Sequence, residues 1–426
     1  MRDKHASHDS APSHPWRTVD DARDRILATF APLPAVLLPL EESLGLVLAE
    51  AVVAEEDLPP FANAAMDGYA LRAADIARAT TDRPARLRVT GEAPAGTTPF
   101  ARVEAGTAVR IMTGAPLPAG ADAVVRFEET DDGQSEPGAV LIQHSAGPGS
   151  NVRPAGEDVA AGTPVLSAGT RLRPAEIGML AALGHESVLV HRRPRVAILS
   201  TGDELVAAGG KLGPGQIRDS NGPALAAMVR QAGGEPIRLG IARDAEDDLR
   251  AHLAGATAAG VDLIVTAGGV SVGDYDLVKE VLRADGRIDF WRVRIKPGKP
   301  LAFGHLGDRP LIGLPGNPVA AIVAFTQFVR PAILTMLGRA DVSPPTISAR
   351  LLSRIDNPGG RRHFVRVQIR QDPASGDYTA RLAGPHGAGH ISSLIASNGL
   401  LIIPEDRAVA ETGERFQVQM PDWELG

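Results

Sequence analysis

The chain is 426 residues long, 44% hydrophobic and 22% charged, with a formal net charge of −7. Such a composition is that of a globular protein of several modules. It gives no electrostatic reason to bind nucleic acid or an anionic membrane, so any bound anion must be held by local groups. Cysteine is absent, which excludes disulfides, thiolate metal ligands and cysteine nucleophiles and is compatible with a reducing, cytoplasmic location.

Residues 1–16, "MRDKHASHDSAPSHPW", lack the apolar core of a secretory signal. They predict a disordered polar tail rather than a metal site, despite His5, His8 and His14. "DDARDRILATF" has helical spacing, and "LPPFANAAMDGYALR" is a Pro/Asn/Gly-rich loop at a domain entrance. Between about residues 86 and 143, short β-like runs such as "AVRIM" and "DAVVRF" alternate with turns, predicting a β-rich module. A helix is predicted from Pro174, packing back on the N-terminal segment. From Arg195 strands ("RVAILS", "EPIRLG", "DLIVTAGG", "PLIGL") alternate with helices ("GPALAAMVRQAGG", "AEDDLRAHLAGATAAG", "DLVKEVLRADG", "PVAAIVAFTQFVRPAILTML"). This alternation implies crossover units and a mostly parallel sheet. No apolar run reaches the roughly 18 residues of a membrane span. Residues from about 346 to 420 return to short strands and predict a small β-sandwich or barrel.

Four loops of the α/β module fall at strand ends: "STGDEL", "QIRDSNG", "TAGGVSVGDYD" and "LPGNP". Glycines there let backbone approach a ligand, and following helix N-termini favour phosphate-like anions. Ordinary strand-to-helix turns, with capping by Asp219, Ser220 or Asn221, fit the same residues. The acidic side chains complicate an anion site. A carboxylate about 4 Å from a phosphate is repelled by about 4 kcal/mol at an effective dielectric near 20. Glu204, Asp274 and Asp276 therefore suit phosphates only through a bridging cation, and Mg2+ takes one or two carboxylates with phosphate oxygens and water. Lys296 and Lys299 in "RIKPGKP" supply opposite charge, or else form a solvated basic turn. No G-x-x-x-x-G-K-[ST] loop and no G-x-G-x-x-G after a first strand occurs, and "HESVLV" at His185 lacks the second histidine of a zinc motif.

In order along the chain, "PPFANAAMDGYALR", "RIMTGAPLPAGADAVV", "NVRPAGEDVAAG", "STGDEL", "TAGGVSVGDYD", "RIKPGKP" and "GLPGNP" closely resemble the molybdopterin molybdenumtransferase family, which includes the E domain of gephyrin. The resemblance covers nearly everything after about residue 17. It implies insertion of molybdate into adenylylated molybdopterin with release of AMP, Mg2+ as cofactor, and a homodimer with shared active sites. The molybdopterin adenylyltransferase is a candidate partner, with neither nucleic acid nor membrane. It also implies a discontinuous elongated domain (17–54 and 147–191), a β-rich domain (55–146), an α/β molybdopterin-binding domain (192–338) and a C-terminal β-barrel (339–426).

Position by position, the resemblance implies active-site roles for Asp67 in "MDGYA", Thr113 in "MTGAP", Asp158 in "GED", Glu204 in "TGDEL" and Asp276. Gly268, Gly269, Ser271 and Gly273 match the loop that cradles the pterin or nucleotide phosphate. Lys296, Lys299, Pro315 and Pro318 match further cleft positions, and Ser392 and Ser393 a fourth-domain segment facing it. Glu204, Asp274 and Asp276 are the implied metal ligands, with the choice between the two aspartates left open by tighter spacing than in some relatives. Ala64 stands where the family often has serine, so a hydroxyl contact there is absent. Two other functions fit parts of the pattern. An ATP-dependent molybdopterin adenylyltransferase shares the α/β module but not the "MDGYA" segment, and a non-enzymatic gephyrin-like scaffold needs partner-binding segments for which the short tail offers little.

Overall fold

The computed structural model describes residues 16–97, 102–270, 281, 284 and 286–420. The histidines of the tail, Ser271, Gly273, Asp274, Asp276 and most of "DLVKEVLRADG" lie outside the described residues. The chain divides into two compact units, one of residues 1–49, 169–173 and 187–426, the other of residues 50–168 and 174–186.

The first unit holds a seven-stranded sheet: β1 (Trp16–Arg17), β2 (Arg195–Thr201), β3 (Glu235–Ala242), β4 (Leu263–Ala267), β5 (Gly286–Val293), β6 (Pro300–Leu306) and β7 (Arg309–Leu314). Their spatial order is β1-β5-β6-β7-β4-β2-β3, and every neighbouring pair is parallel except those made by β6. The parallel core was expected. The β5–β6 hairpin was not, because its basic connection "RIKPGKP" dominates the reading of that stretch. From β2 the chain goes to β3 on one side and then to β4 on the other. That reversal opens a crevice outside the carboxyl ends of β2 and β4.

The helices follow from the spacing of their apolar residues. In the helix Glu246–Ala258, Leu249, Leu253 and Ala256 recur at helical spacing and are buried against Ala197, Leu199 and Ile264 of the sheet. Three acidic residues in its first turn, Glu246, Asp247 and Asp248, complement the positive end of the helix dipole. Pro318–Met336 forms one 19-residue helical run, interrupted by a five-residue π turn at Phe325–Val329. Contrary to the sequence expectation, this run is long and apolar enough to cross a membrane. Its most apolar window is nevertheless 83% buried within the protein, as befits a core helix.

The C-terminal strands β8 (Thr346–Leu351), β9 (Arg362–Gln371), β10 (Tyr378–Leu382), β11 (Gly399–Ile403) and β12 (Arg415–Gln419) close into a small barrel in the order β9-β10-β8-β12-β11-β9. Alternate residues of β9, Val365, Val367 and Ile369, fill its interior. Two features tie the barrel to the α/β module. Ile295–Lys296 pairs in parallel with Arg362–His363, and the buried amides of Gln327 and Gln419 bond at 2.7 Å.

The second unit carries a five-stranded sheet in which Gly68–Leu71 lies between Thr107–Ile111 and Ala123–Arg126. These strands correspond to the runs "AVRIM" and "DAVVRF". The helix Pro174–Ala182 belongs to the same unit.

Candidate active site

The "MDGYA" segment sorts into structural and available residues. Gly68 has no room for a side chain, since a Cβ would lie 1.9 Å from the Val125 carbonyl oxygen across the strand pair. Tyr69 is buried, packs edge-on to Phe127 and donates its hydroxyl to Asp132 at 3.2 Å. Ala64, just upstream, is fully buried, with its N–H and carbonyl committed to the backbone of Ala115 and Gly114. Met66 and Asp67 remain exposed. Asp67 is nonetheless fixed: the backbone N–H and hydroxyl of Thr113 both donate to its Oδ1, at 2.7 and 2.8 Å. These bonds, the backbone one first, hold the Asp67 carboxyl below the usual carboxylate range. Asp158 is exposed in the same unit, its N–H bonded to the Leu58 carbonyl.

The crevice at the switch point of the α/β sheet is a cleft of about 940 Å³. The loop after β4 sits against the end of β2, where a Cβ on Gly268 (φ 100°) would lie 2.7 Å from both the carbonyl oxygen and Oγ1 of Thr201. The Gly268 N–H bonds to the Leu314 carbonyl of β7. Asn221 closes the ring by donating from Nδ2 to the Gly316 carbonyl at 2.7 Å. Asp219 accepts from the Gly222 N–H in the first helical turn at 2.9 Å and from Ser200 Oγ at 3.0 Å. The residues of "DSNG" therefore do cap the helix, and they also fasten it to the neighbouring strand ends. Replacing Gly268 with alanine is expected to destabilise the α/β module by about 1–3 kcal/mol, because the side chain must adopt a left-handed backbone and displace Thr201. An unchanged denaturant midpoint would contradict this packing.

Of the residues expected from sequence, the cleft brings together Glu204, Gly268, Gly269, Lys299, Pro315 and Pro318. Gly298, with φ 88°, lets the basic turn pack close: a Cβ there would be 3.1 Å from Pro315 Cγ and from Ala320 Cβ. Lys296 stands apart from the lining, beside the barrel, where burial and then the charge of Arg361 pull its ammonium below the ordinary lysine value. The two serines also differ. Ser393 is buried, donating to the His390 carbonyl at 2.6 Å and accepting from Arg366 Nε at 2.8 Å, whereas Ser392 is exposed.

Among the lining residues that were not anticipated, two charged ones come from outside the four loops. Asp244 follows β3, and its carboxyl is raised by burial, then by Asp203 and Glu204 nearby. Arg361 comes from the barrel, in "GGRRHF". The cleft thus has acidic groups, Glu204, Asp219 and Asp244, and basic groups, Arg218, Lys299 and Arg361, around a glycine turn. This arrangement suits a phosphorylated ligand accompanied by a divalent cation.

Comparison with known proteins agrees. Residues 17–184 match the family model described as "MoeA N-terminal region (domain I and II)", residues 197–335 "Probable molybdopterin binding domain", and residues 348–420 "MoeA C-terminal region (domain IV)". Fold and site together define a molybdopterin-processing enzyme of molybdenum cofactor biosynthesis. The chain is 41% identical over 396 residues to molybdopterin molybdenumtransferase 2 of Mycobacterium tuberculosis, covering 92% of this chain and 95% of that one. It is 37% identical to the molybdopterin molybdenumtransferase of Nostoc sp., with 98% of each covered. A solved molybdopterin biosynthesis MoeA protein from Pyrococcus horikoshii superposes with a TM-score of 0.80 at 32% identity, covering 95% of this chain and 100% of that one. The chain belongs to the molybdopterin molybdenumtransferase family and is a transferase that inserts molybdenum into molybdopterin.

Proposed function

We propose that the substrate is adenylylated molybdopterin, that molybdate is the metal donor and that AMP leaves. The observation that carries this reading is the pairing, within one cleft, of Glu204 and Asp244 with Lys299 and Arg361 around Gly268 and Gly269. The glycine backbone can approach a pyrophosphate closely, and the two cations offset its charge. Pro315 and Pro318 bracket the Gly316–Asn317 turn that Asn221 holds in place.

Mg2+ fits the acidic groups. The Asp244 carboxyl is raised by burial first and then by the charges of Asp203 and Glu204, and two carboxylates with phosphate oxygens and water suit Mg2+. No cluster of three or more potential ligands occurs among the described residues, and Asp274 or Asp276 would supply a further one. Bound there, the ion would neutralise charge on the pyrophosphate. Glu204 and Asp244 would hold it, and Lys299 and Arg361 would bind and orient the phosphates so that the pyrophosphate bond is presented for cleavage. Ser392 is the serine of its pair with a hydroxyl available to a ligand. Asp67, fixed as an anion by Thr113, and Asp158 are proposed as active-site groups, contributed within a homodimer acting in the cytoplasm. The adenylyltransferase that makes the substrate is the proposed partner.

The test is to supply adenylylated molybdopterin, molybdate and Mg2+ and to measure AMP. Release is expected with Mg2+ and is expected to fall at least tenfold in excess chelator. Absence of AMP would reject the substrate, and release undiminished by chelator would reject the metal.

A further inference from the structure

Arg361 reaches the cleft from a turn that supports it on one side only. It follows Gly359 and Gly360, whose φ values of 97° and 60° form a left-handed turn that glycine adopts readily, and among the described residues its guanidinium has no hydrogen-bond or ion-pair partner. Its backbone is held from the carbonyl onward. Asn357, 1% exposed, donates from Nδ2 to the Arg361 carbonyl at 2.9 Å and to the Arg407 carbonyl at 3.1 Å. The Arg362 N–H donates to the Arg294 carbonyl at 2.8 Å, next to the parallel pairing of Ile295 with Arg362. The Arg362 side chain is gripped by two carboxylates. Nη1 and Nη2 donate to the two oxygens of Asp20 at 2.9 and 2.8 Å, and Nε and Nη2 donate to those of Glu405 at 3.0 and 3.2 Å. Asp20 lies in the first turn of the helix Val19–Leu27, which is capped by Thr18 and follows directly on β1, itself paired with β5.

A bidentate arginine–carboxylate pair fixes direction as well as distance. Successive residues of an extended segment point to opposite sides, so Arg361 faces the cleft while Arg362 faces the helix and Glu405. With glycines on its other flank, the line along which Arg361 enters the cleft follows the seat of Arg362. Neither Asp20 nor Glu405 lines the cleft itself. We propose that Asp20 and Glu405 are positioning residues for the ligand of the cleft: through Arg362 they set where the Arg361 guanidinium meets a phosphate. The N-terminal helix thereby takes part in substrate binding without contacting the substrate. The inference rests on reading Arg361 as a phosphate-binding group and adds the device that aims it.

AMP is the probe, titrated by calorimetry into the full chain in the presence of Mg2+. Arg361→Gln should weaken its binding by about tenfold, the loss of one charge-assisted contact. Asp20→Ala should weaken it by about three- to fivefold, and Asp20→Glu, which keeps the charge, should stay within about twofold of the unmodified chain. A lesion that acts through Arg361 adds nothing once Arg361 is gone. Asp20→Ala combined with Arg361→Gln should therefore bind AMP no more weakly than Arg361→Gln alone, whereas Asp20→Ala combined with Lys299→Gln should show the product of the two separate effects. In turnover the Asp20→Ala defect should appear in KM, with kcat within about twofold of normal. A merely structural contact predicts a lower denaturation midpoint with AMP affinity unchanged, and that result would overturn the proposal. An Asp20→Ala effect undiminished in the Arg361→Gln background would overturn it too, while leaving Arg361 in the cleft. Failure of Arg361→Gln to weaken AMP binding, or no AMP binding by the unmodified chain, would overturn the cleft reading of Arg361 together with the proposal, so the two failures can be told apart.

Discussion

Glu204→Gln is expected to lower turnover by about two to three orders of magnitude while leaving the fold intact. The magnitude is that of losing one strong electrostatic contact to charge in the transition state. Glu204 is exposed, so its amide replacement should change stability by no more than about 0.5 kcal/mol. Its carboxylate has room because Gly202 lacks a side chain: a Cβ there would lie 2.4 Å from Glu204 Oε2. Because Glu204 is one of the causes that raise Asp244, removing its charge should also let the Asp244 carboxyl fall. A raised carboxyl is protonated at higher pH than usual, so cation binding fails earlier as pH falls. The variant's residual activity should therefore persist to lower pH than that of the unmodified enzyme, and its Mg2+ requirement should move to higher concentration. A purely structural role for Glu204 predicts neither shift. AMP release within about twofold of normal at limiting Mg2+ would remove Glu204 from the proposed metal site.

The cleft residues differ in how far local sequence exposes them. "LIVTAGG" reads as a buried strand running into a glycine turn, and every residue of β4 is indeed buried. The turn must be glycine because Thr201 of the adjacent strand stands 2.7 Å from where a Cβ would be. Asp244 carries no such signal. In "IARDAEDD" it is one acid among several, and only the parallel pairing of β2 with β3 brings it beside Glu204. Arg361 is harder still, since it reaches the cleft from a separate barrel. Lys296 and Lys299 look equivalent in "RIKPGKP", yet one pairs against the barrel and the other lines the cleft. Ser392 and Ser393 divide the same way, because one helical turn buries the second against Arg366. Adjacent residues of like chemistry are separated by which face they present, and that depends on partners distant in sequence.

A mixture of two nearly inactive variants, Asp67→Ala and Glu204→Gln, is expected to regain about a quarter of normal AMP release after dissociation and reassembly. The expectation follows from proposing that the loop around Asp67 of one protomer completes the cleft of its partner. In the same segment, Phe61 and Met66 are 44% and 41% exposed and the Asp67 carboxylate is fixed by Thr113. If the loop acts across the interface, a dimer of one variant with the other contains one site with both residues intact and one with neither. If it acts within its own chain, every site carries one lesion. Equal amounts reassembling at random give about half mixed dimers, each with one working site of two, hence about a quarter of normal activity. Differential tags on the two variants allow mixed dimers to be isolated, which raises the expected value to about half. Isolated mixed dimers no more active than their parents would place Asp67 in the service of its own chain.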